Sequence, residues 1–125
     1  MVYTIGIGSN EEREANLALA RQRLTESFPG IRFSQEEETQ PLSLHRSVPF
    51  SNQLARFSSD WEQCEVCSRL KSIEREAGRL PGEKEREIVR LDLDLLACDE
   101  LIYKPEDWKR DYVQRGVKEL DGEAL

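Results

Sequence analysis

Apolar residues recur at every second position in several parts of the chain, and this period of two is typical of β-strands. It is clearest near the start, where Tyr3, Ile5 and Ile7 alternate with smaller or more polar residues. A weaker alternation marks residues 31–39. This alternation of apolar and polar residues predicts strands over residues 2–8, 31–39, 50–58 and 88–97. A turn at Asp99-Glu100 predicts a further strand over residues 101–103, which pairs with the preceding strand as a hairpin.

Two longer segments have the 3.6-residue period of an amphipathic helix. The first follows Ser9 and Glu12, which have capping-box spacing, and ends at Pro29-Gly30. The second covers residues 61–78, with Asp60 as its N-cap. Their apolar stripes consist of Leu17, Ala20, Leu24 and Phe28 in the first helix, and of Cys64, Cys67, Leu70, Ile73 and Ala77 in the second.

The order of these elements predicts an α+β fold, in which helices bury their apolar stripes against a sheet. We expect an α/β sandwich of two to three layers, with a mostly antiparallel sheet and a topology related to the ferredoxin-like one. A last short helical segment follows Pro105. No repeat or flexible linker divides the 125 residues, so a single domain over residues 1–125 is expected.

Composition and charge exclude several classes of function. Eighteen basic and 25 acidic residues give a net charge of −7, which argues against a nucleic acid or an anionic membrane as partner. Because no apolar run approaches the ~20 residues that span a bilayer, and no signal peptide is evident, a cytoplasmic protein with reduced thiols is expected. Gly6 and Gly8 lack the third glycine of a dinucleotide-binding fingerprint.

The segment Arg90-Leu91-Asp92-Leu93-Asp94-Leu95 has the strongest chemical signal. Strand alternation places the leucines on one face and Arg90, Asp92 and Asp94 on the other, with the two aspartate Cα atoms ~7 Å apart. Two such carboxylates can hold Mg²⁺ together with substrate phosphates, and paired ions can clamp a phosphoryl group during transfer. The alternative is a solvated outer face whose charges are offset by cross-strand neighbours.

Two nearby features bear on that choice. Glu74 lies on or beside the apolar stripe of the second helix, where an unpaired carboxylate is costly, so a lysine or arginine partner or a polar site is expected. Residues 79–90 contain four basic residues that suit phosphate oxygens, in a segment typical of a mobile loop. Because three glutamates are interleaved with them, a self-neutralised surface loop is the alternative.

Five short motifs occur in order along the chain. They are Gly8-Ser9-Asn10, Thr39-x-Pro41-Leu42, Phe50-x-Asn52, Glu74 with Gly78-Arg79, and Leu91-Asp92-Leu93-Asp94-Leu95. Together they resemble the family of 6-hydroxymethyl-7,8-dihydropterin pyrophosphokinase, an enzyme of folate biosynthesis. The motifs keep the family's spacing from Thr39 to Leu96, and the similarity covers residues 2 to about 117.

The resemblance implies an enzyme that binds ATP with two Mg²⁺ and transfers pyrophosphate to the hydroxymethyl group of a reduced pterin, releasing AMP. We expect a monomer. The resemblance assigns each site residue a role: Asp92 and Asp94 as metal ligands; Thr39, Leu42, Phe50 and Asn52 for the pterin; Lys71, Glu74, Leu95 and Arg115 for the nucleotide; and Arg79 and Arg90 in catalysis.

The chain also departs from the family pattern. Val89 stands in the place of a catalytic arginine, with Arg90 beside it as a substitute. Asp111 replaces a histidine that contacts ATP, and Val117 replaces a second aromatic ring, as in a shortened and divergent member. The alternatives are a catalytically impaired homologue that acts as a pterin- or nucleotide-binding module, and an α+β domain for protein interaction.

Overall fold

The computed structural model describes residues 1–40, 48–78, 80–83 and 85–122. They form four helices packed against a six-stranded sheet, which confirms the predicted α+β sandwich. No helix of these residues has the length and apolarity needed to cross a membrane.

In chain order the elements are β1 (Val2–Ser9), α1 (Arg13–Ser27), β2 (Arg32–Phe33), β3 (Glu37–Thr39), β4 (Phe50–Ser58), α2 (Gln63–Glu76), β5 (Asp92–Cys98), β6 (Leu101–Ile102), α3 (Pro105–Trp108) and α4 (Asp111–Gly122).

The sheet is antiparallel in every pairing between described strands, and β1 lies near its centre. β4 and β5 flank β1 on its two sides. β2 and β3 both pair with β4 and form one edge of the sheet. At the other edge β6 pairs with β5, which confirms the hairpin predicted around Asp99-Glu100.

The two faces of the sheet are covered by different helices, because side chains alternate along each strand. α1 and α2 cover one face and bury the main core, whereas α4 covers the other face through a smaller cluster. The main core includes Tyr3, Ile5, Ile7, Leu17, Ala20, Leu24, Ala55, Phe57, Val66, Leu70, Ile73, Leu91, Leu93 and Leu95. The smaller cluster consists of Leu54, Leu96, Val113 and Leu120.

The start of α1 differs from the prediction, since the Ser9–Glu12 capping box does not form. The Ser9 hydroxyl instead donates to the carbonyl of Glu11 at 3.0 Å. Glu12 adopts a left-handed conformation with φ 45°, and α1 begins after it, at Arg13. A sharp turn between β1 and α1 therefore replaces the predicted cap.

The start of α2 also differs, since Asp60 does not cap it. Glu62 and Glu65 form the capping box, and the Glu62 amide donates to the Glu65 carboxylate at 3.2 Å. The helix therefore begins two residues later than predicted. Cys64 consequently lies in the exposed first turn rather than in the apolar stripe, while Cys67 is half-buried against the core.

Three further boundaries depart from the sequence pattern. The predicted strand over residues 31–39 is divided into β2 and β3, and the predicted strand over residues 88–97 begins only at Asp92. The short helical segment expected after Pro105 is two helices. In α4 the buried positions are Val113, Gly116 and Leu120, so a glycine interrupts the apolar stripe that identifies a helix.

Gly116 allows α4 to approach the sheet closely. A Cβ atom at this position would lie 2.7 Å from Cδ1 and 2.8 Å from Cγ of Leu54, which is closer than carbon atoms can pack. Gly122, in the last turn of the same helix, has no atom within 4 Å of its corresponding position. The two glycines therefore form a matched pair, one at a tight contact and one in open space.

We expect Gly116→Ala to lower the free energy of unfolding by about 1–3 kcal/mol, because the added methyl group overpacks the contact with Leu54. Gly122→Ala is the control, and it should be neutral or slightly stabilising. Urea unfolding followed by circular dichroism measures both. Equal effects of the two substitutions would contradict the close-approach explanation.

Candidate active site

Two glycines of β1 form an open floor between β4 and β5 on the face covered by α4. Gly8 lies beside Asn52 of β4 and Asp92 of β5, and Gly6 lies beside Asp94. A Cβ atom on Gly8 would come within 3.4 Å of the Asn52 Oδ1 atom. The absence of side chains here leaves room for a ligand directly against the backbone, which is a common use of glycine within a strand.

A cavity of about 510 Å³, here called the large cavity, lies on this floor. It brings together three residues to which the family resemblance assigns pterin binding, namely Thr39, Phe50 and Asn52. The Asn52 Nδ2 group donates to the Thr39 hydroxyl at 2.6 Å, which fixes the amide at the cavity wall. The other lining residues include Glu87, Ile88, Val89, Asp92, Asp94, Leu96, Lys104, Asp107, Arg110, Tyr112 and Val113.

A second cavity of about 390 Å³, here called the small cavity, lies between α2 and the outer edge of β5. β6 pairs only with Ala97 and Cys98, so in the described part of the chain no strand covers β5 over residues 92–96. The small cavity is lined by three residues to which the family resemblance assigns nucleotide binding, namely Lys71, Glu74 and Leu95.

Asp92 and Asp94, here called the carboxylate pair, line both cavities. They are half-buried, whereas the intervening Leu93 is buried in the core, so the predicted alternation holds over residues 92–95. Lys104 also lines both cavities, and its Nζ atom donates to Asp94 Oδ1 at 3.0 Å. Burial alone would lower the pKa of Lys104, but the hydrogen bond and the charges of the carboxylate pair raise it above its ordinary value.

Glu74 is only 7% exposed and joins α2 to β5. Its Oε2 atom accepts a hydrogen bond of 2.8 Å from the backbone amide of Leu93, between the two aspartates. The sequence left open a lysine or arginine partner or a polar site for this carboxylate, and the structure gives it a backbone donor and a place in the lining of the small cavity. A carboxylate that accepts from a backbone amide forms a strong charge-assisted hydrogen bond.

Asn10, in the turn after β1, holds the segment that closes one side of the large cavity. Its Nδ2 group donates to the carbonyl of Glu87 at 2.9 Å, and its Oδ1 atom accepts from the amide of Val89 at 2.7 Å. The backbone amide of Asn10 donates to the Val89 carbonyl at 2.8 Å. Sequence reasoning missed this role, because these partners are more than 75 residues apart.

Arg90 does not line either cavity, contrary to the expectation that it faces the aspartates. Its Nε atom donates to Glu83 Oε2 at 2.8 Å, and its guanidinium also pairs with Glu12 at 3.3 Å. The alternation of side chains between the two faces of a strand does not apply to Arg90, because β5 begins only at Asp92. A catalytic role for Arg90 stays a prediction.

The remaining predicted site residues lie elsewhere. The Arg115 guanidinium forms a bidentate ion pair with the Glu37 carboxylate, with contacts of 2.7 and 3.0 Å. Arg115 lines neither cavity. Arg79 and Leu42 lie outside the described residues. Lys104 is the functional candidate that the sequence did not suggest, although its position two residues after the β5–β6 hairpin places it beside the aspartates.

The donor set of the site suits a divalent cation that is completed by substrate. Among the described residues, no group of three or more histidine, cysteine, aspartate or glutamate side chains is positioned as a complete metal site. Mg²⁺ commonly takes one or two carboxylates and fills its remaining positions with water and substrate phosphates. The Lys104 ammonium against Asp94 also shows that a cation is accommodated here. The carboxylate pair therefore fits Mg²⁺ that arrives with a phosphorylated ligand.

We expect Glu74→Leu to cost about 1–3 kcal/mol in unfolding free energy, because the buried amide of Leu93 loses its acceptor. Glu74→Gln keeps an oxygen at the same position and should retain most of the stability. Hydrogen exchange gives a local readout, since the Leu93 amide should lose protection in Glu74→Leu. Unchanged protection of that amide would show that Glu74 does not hold β5.

The Glu83–Arg90 contact predicts a pH-dependent stability. The hydrogen bond from the Leu80 amide lowers the pKa of Glu83, burial opposes it, and the hydrogen bond and charge of Arg90 lower it further. A carboxyl with a lowered folded pKa stabilises the protein above the ordinary glutamate pKa of about 4.3, and this contribution is lost as pH falls through the folded value.

Glu83→Gln should therefore lower Tm at pH 7, and the difference from the unsubstituted protein should shrink as pH falls below about 4. Calorimetry across this pH range measures the difference. Glu85→Gln, at an exposed neighbouring position, is the control and should show little effect at any pH. A Tm difference that is constant with pH would contradict the electrostatic origin.

Comparison with known proteins bears on the identity of the chain. A sequence model of the family described as 7,8-dihydro-6-hydroxymethylpterin-pyrophosphokinase (HPPK) matches residues 4–122. No curated protein sequence gives a significant match. The family match covers nearly all of the strands and helices that form the two cavities, and it confirms the resemblance drawn from the five motifs. The chain therefore belongs to the 7,8-dihydro-6-hydroxymethylpterin-pyrophosphokinase family, whose members act in folate synthesis.

Proposed function

We propose that this protein transfers a pyrophosphoryl group from ATP to the hydroxymethyl oxygen of a reduced pterin and releases AMP. The observation that carries the proposal is that two separate cavities meet at the carboxylate pair. A reaction with two substrates needs both of them held with the transferred group between them, and this arrangement supplies that geometry.

The large cavity is the proposed pterin site. A pterin is flat and has an edge of alternating hydrogen-bond donors and acceptors, which an asparagine amide can match because it offers both. Asn52 is held by Thr39 in a fixed orientation, and Phe50 offers an aromatic surface. The bare floor at Gly6 and Gly8 leaves space for the ring, and Leu42 remains a proposed contact.

The small cavity is the proposed nucleotide site. Lys71 supplies a cation for phosphate oxygens, and Leu95 lies on the part of β5 that no described strand covers. Backbone groups on an open strand edge can form hydrogen bonds with a ligand, in the same way as strand addition. Glu74 maintains this edge through Leu93, and Arg115 and Arg79 remain proposed phosphate contacts.

Asp92 and Asp94 would hold the two Mg²⁺ ions that accompany ATP. Bound there, Mg²⁺ would offset the negative charge of the phosphates and favour deprotonation of the hydroxymethyl group, which makes its oxygen a better nucleophile. The carboxylate pair has the right position for this, because it borders both cavities. Asp92 and Asp94 would in this way also orient the β-phosphate of ATP towards the proposed pterin site.

In the proposed reaction, the hydroxymethyl oxygen forms a bond to the β-phosphorus of ATP. The bond from that phosphorus to the oxygen bridging the α-phosphate breaks, AMP leaves with the bridging oxygen, and the hydroxyl proton is released to water. Phosphoryl transfer of this kind depends on positioning and charge stabilisation rather than on covalent chemistry by the protein. The residues of the two cavities supply the positioning.

One observation favours a second candidate, a homologue that binds these ligands without turnover. Val89 lines the large cavity without a charge, and the neighbouring Arg90 is engaged by Glu83. A site with less positive charge would stabilise the transition state less well. Binding could then persist without catalysis.

The direct test is formation of AMP from ATP and 6-hydroxymethyl-7,8-dihydropterin, with and without Mg²⁺. We expect Mg²⁺-dependent AMP formation that Asp92→Ala reduces by at least about 100-fold, because the charge around the transferred group is no longer neutralised. Asp60→Ala, at an exposed position outside both cavities, is the control and should keep full activity.

The outcomes separate the candidates. Pterin binding measured by calorimetry, with no AMP formed over hours, would favour the binding module. Turnover that is unchanged in Asp92→Ala would contradict the metal assignment. No binding of pterin or Mg-ATP would contradict both candidates.

A further inference from the structure

Lys104 has a position that no other basic side chain among the described residues shares. Lys71 lines only the small cavity and Arg110 only the large one, whereas Lys104 lines both. Its Nζ atom lies 3.0 Å from Asp94 Oδ1. Arg90, the basic residue expected here from the sequence, is held by Glu83 at 2.8 Å.

The backbone around Lys104 is fixed from both sides. On the N-terminal side, the Tyr103 amide donates to the Leu96 carbonyl at 2.9 Å and continues the β5–β6 hairpin. On the C-terminal side, the Lys104 carbonyl accepts from the Trp108 amide at 2.9 Å, and Pro105 begins α3. The backbone of this residue is therefore anchored, and the flexible four-carbon side chain is the part that can move.

The carboxylate pair needs a positive partner in the absence of substrate, since two like charges on one strand face repel. The Lys104 ammonium supplies this charge at Asp94. A divalent cation that binds the same oxygen must compete with the ammonium. The displaced ammonium stays tethered at the border of the two cavities, where the phosphate chain of a nucleotide would lie if the proposed function holds.

We propose that Lys104 is a mobile phosphate-binding residue, which pairs with Asp94 and offsets part of the charge of the carboxylate pair before ligands bind, and which moves to the nucleotide phosphates when divalent metal and nucleotide bind. It supplies positive charge in the large cavity, which the uncharged Val89 also lines. This inference rests on the proposed function, because it needs both metal and nucleotide to bind at the carboxylate pair.

The proposal predicts opposite effects of Lys104→Met on two ligands. Mn²⁺ alone, followed by the electron paramagnetic resonance signal of the free ion, should bind about two- to fivefold more tightly, because a competing surface ion pair is removed. Mg²⁺ with α,β-methylene-ATP, followed by calorimetry, should bind about tenfold more weakly or worse, because a charge-assisted phosphate contact is lost.

Two further variants complete the experiment. Lys104→Arg keeps the positive charge and should largely restore nucleotide binding, whereas Lys118→Met removes an exposed lysine of α4 and should change neither affinity. Opposite shifts in Lys104→Met, with no shift in Lys118→Met, support the proposal. Shifts in the same direction, or no shift, overturn it. If the unsubstituted protein binds neither ligand, the proposed function itself fails, and this inference fails with it.

Discussion

The buried hydrogen bond from the Leu93 amide to the Glu74 carboxylate determines the shape of the candidate site. Leu93 lies on the outer edge of β5, where no described strand pairs with residues 92–96. A buried amide without an acceptor costs about 1–3 kcal/mol, so an edge of this kind needs a partner from elsewhere. Because α2 provides that partner through one side chain, the edge stays accessible while Asp92 and Asp94 are held on either side of the bonded residue.

The rest of the site follows from how β5 is flanked. On one side β1 contributes glycines next to the aspartates, so the large cavity reaches the backbone of the sheet. On the other side the small cavity lies between α2 and β5. The carboxylate pair belongs to both spaces because side chains of a half-buried strand can reach past its edge. Lys104 offsets part of their charge through its ion pair with Asp94.

The sequence predicted the fold class, the span of β4 and the alternation over residues 92–95 of β5, because each depends on local periodicity that burial reinforces. It did not predict the full length of α4, because Gly116 interrupts the apolar stripe of that helix. A glycine is needed there since α4 packs closely against Leu54 of β4. The sequence also did not predict where the Arg90 side chain lies. An ion pair with Glu83, which is outside the strand, determines its position. Local patterns identify which residues carry charge, whereas their partners depend on contacts between distant segments.

In the proposed function, the carboxylate pair lies between two ligand sites. A crystal structure of the protein with Mg²⁺, α,β-methylene-ATP and 6-hydroxymethyl-7,8-dihydropterin would locate the metal and both ligands. We expect Mg²⁺ at about 2.1 Å from oxygens of both Asp92 and Asp94, with adenosine in the small cavity and the pterin beside Asn52. Metal ions bound away from both aspartates, or both organic ligands in one cavity, would contradict it.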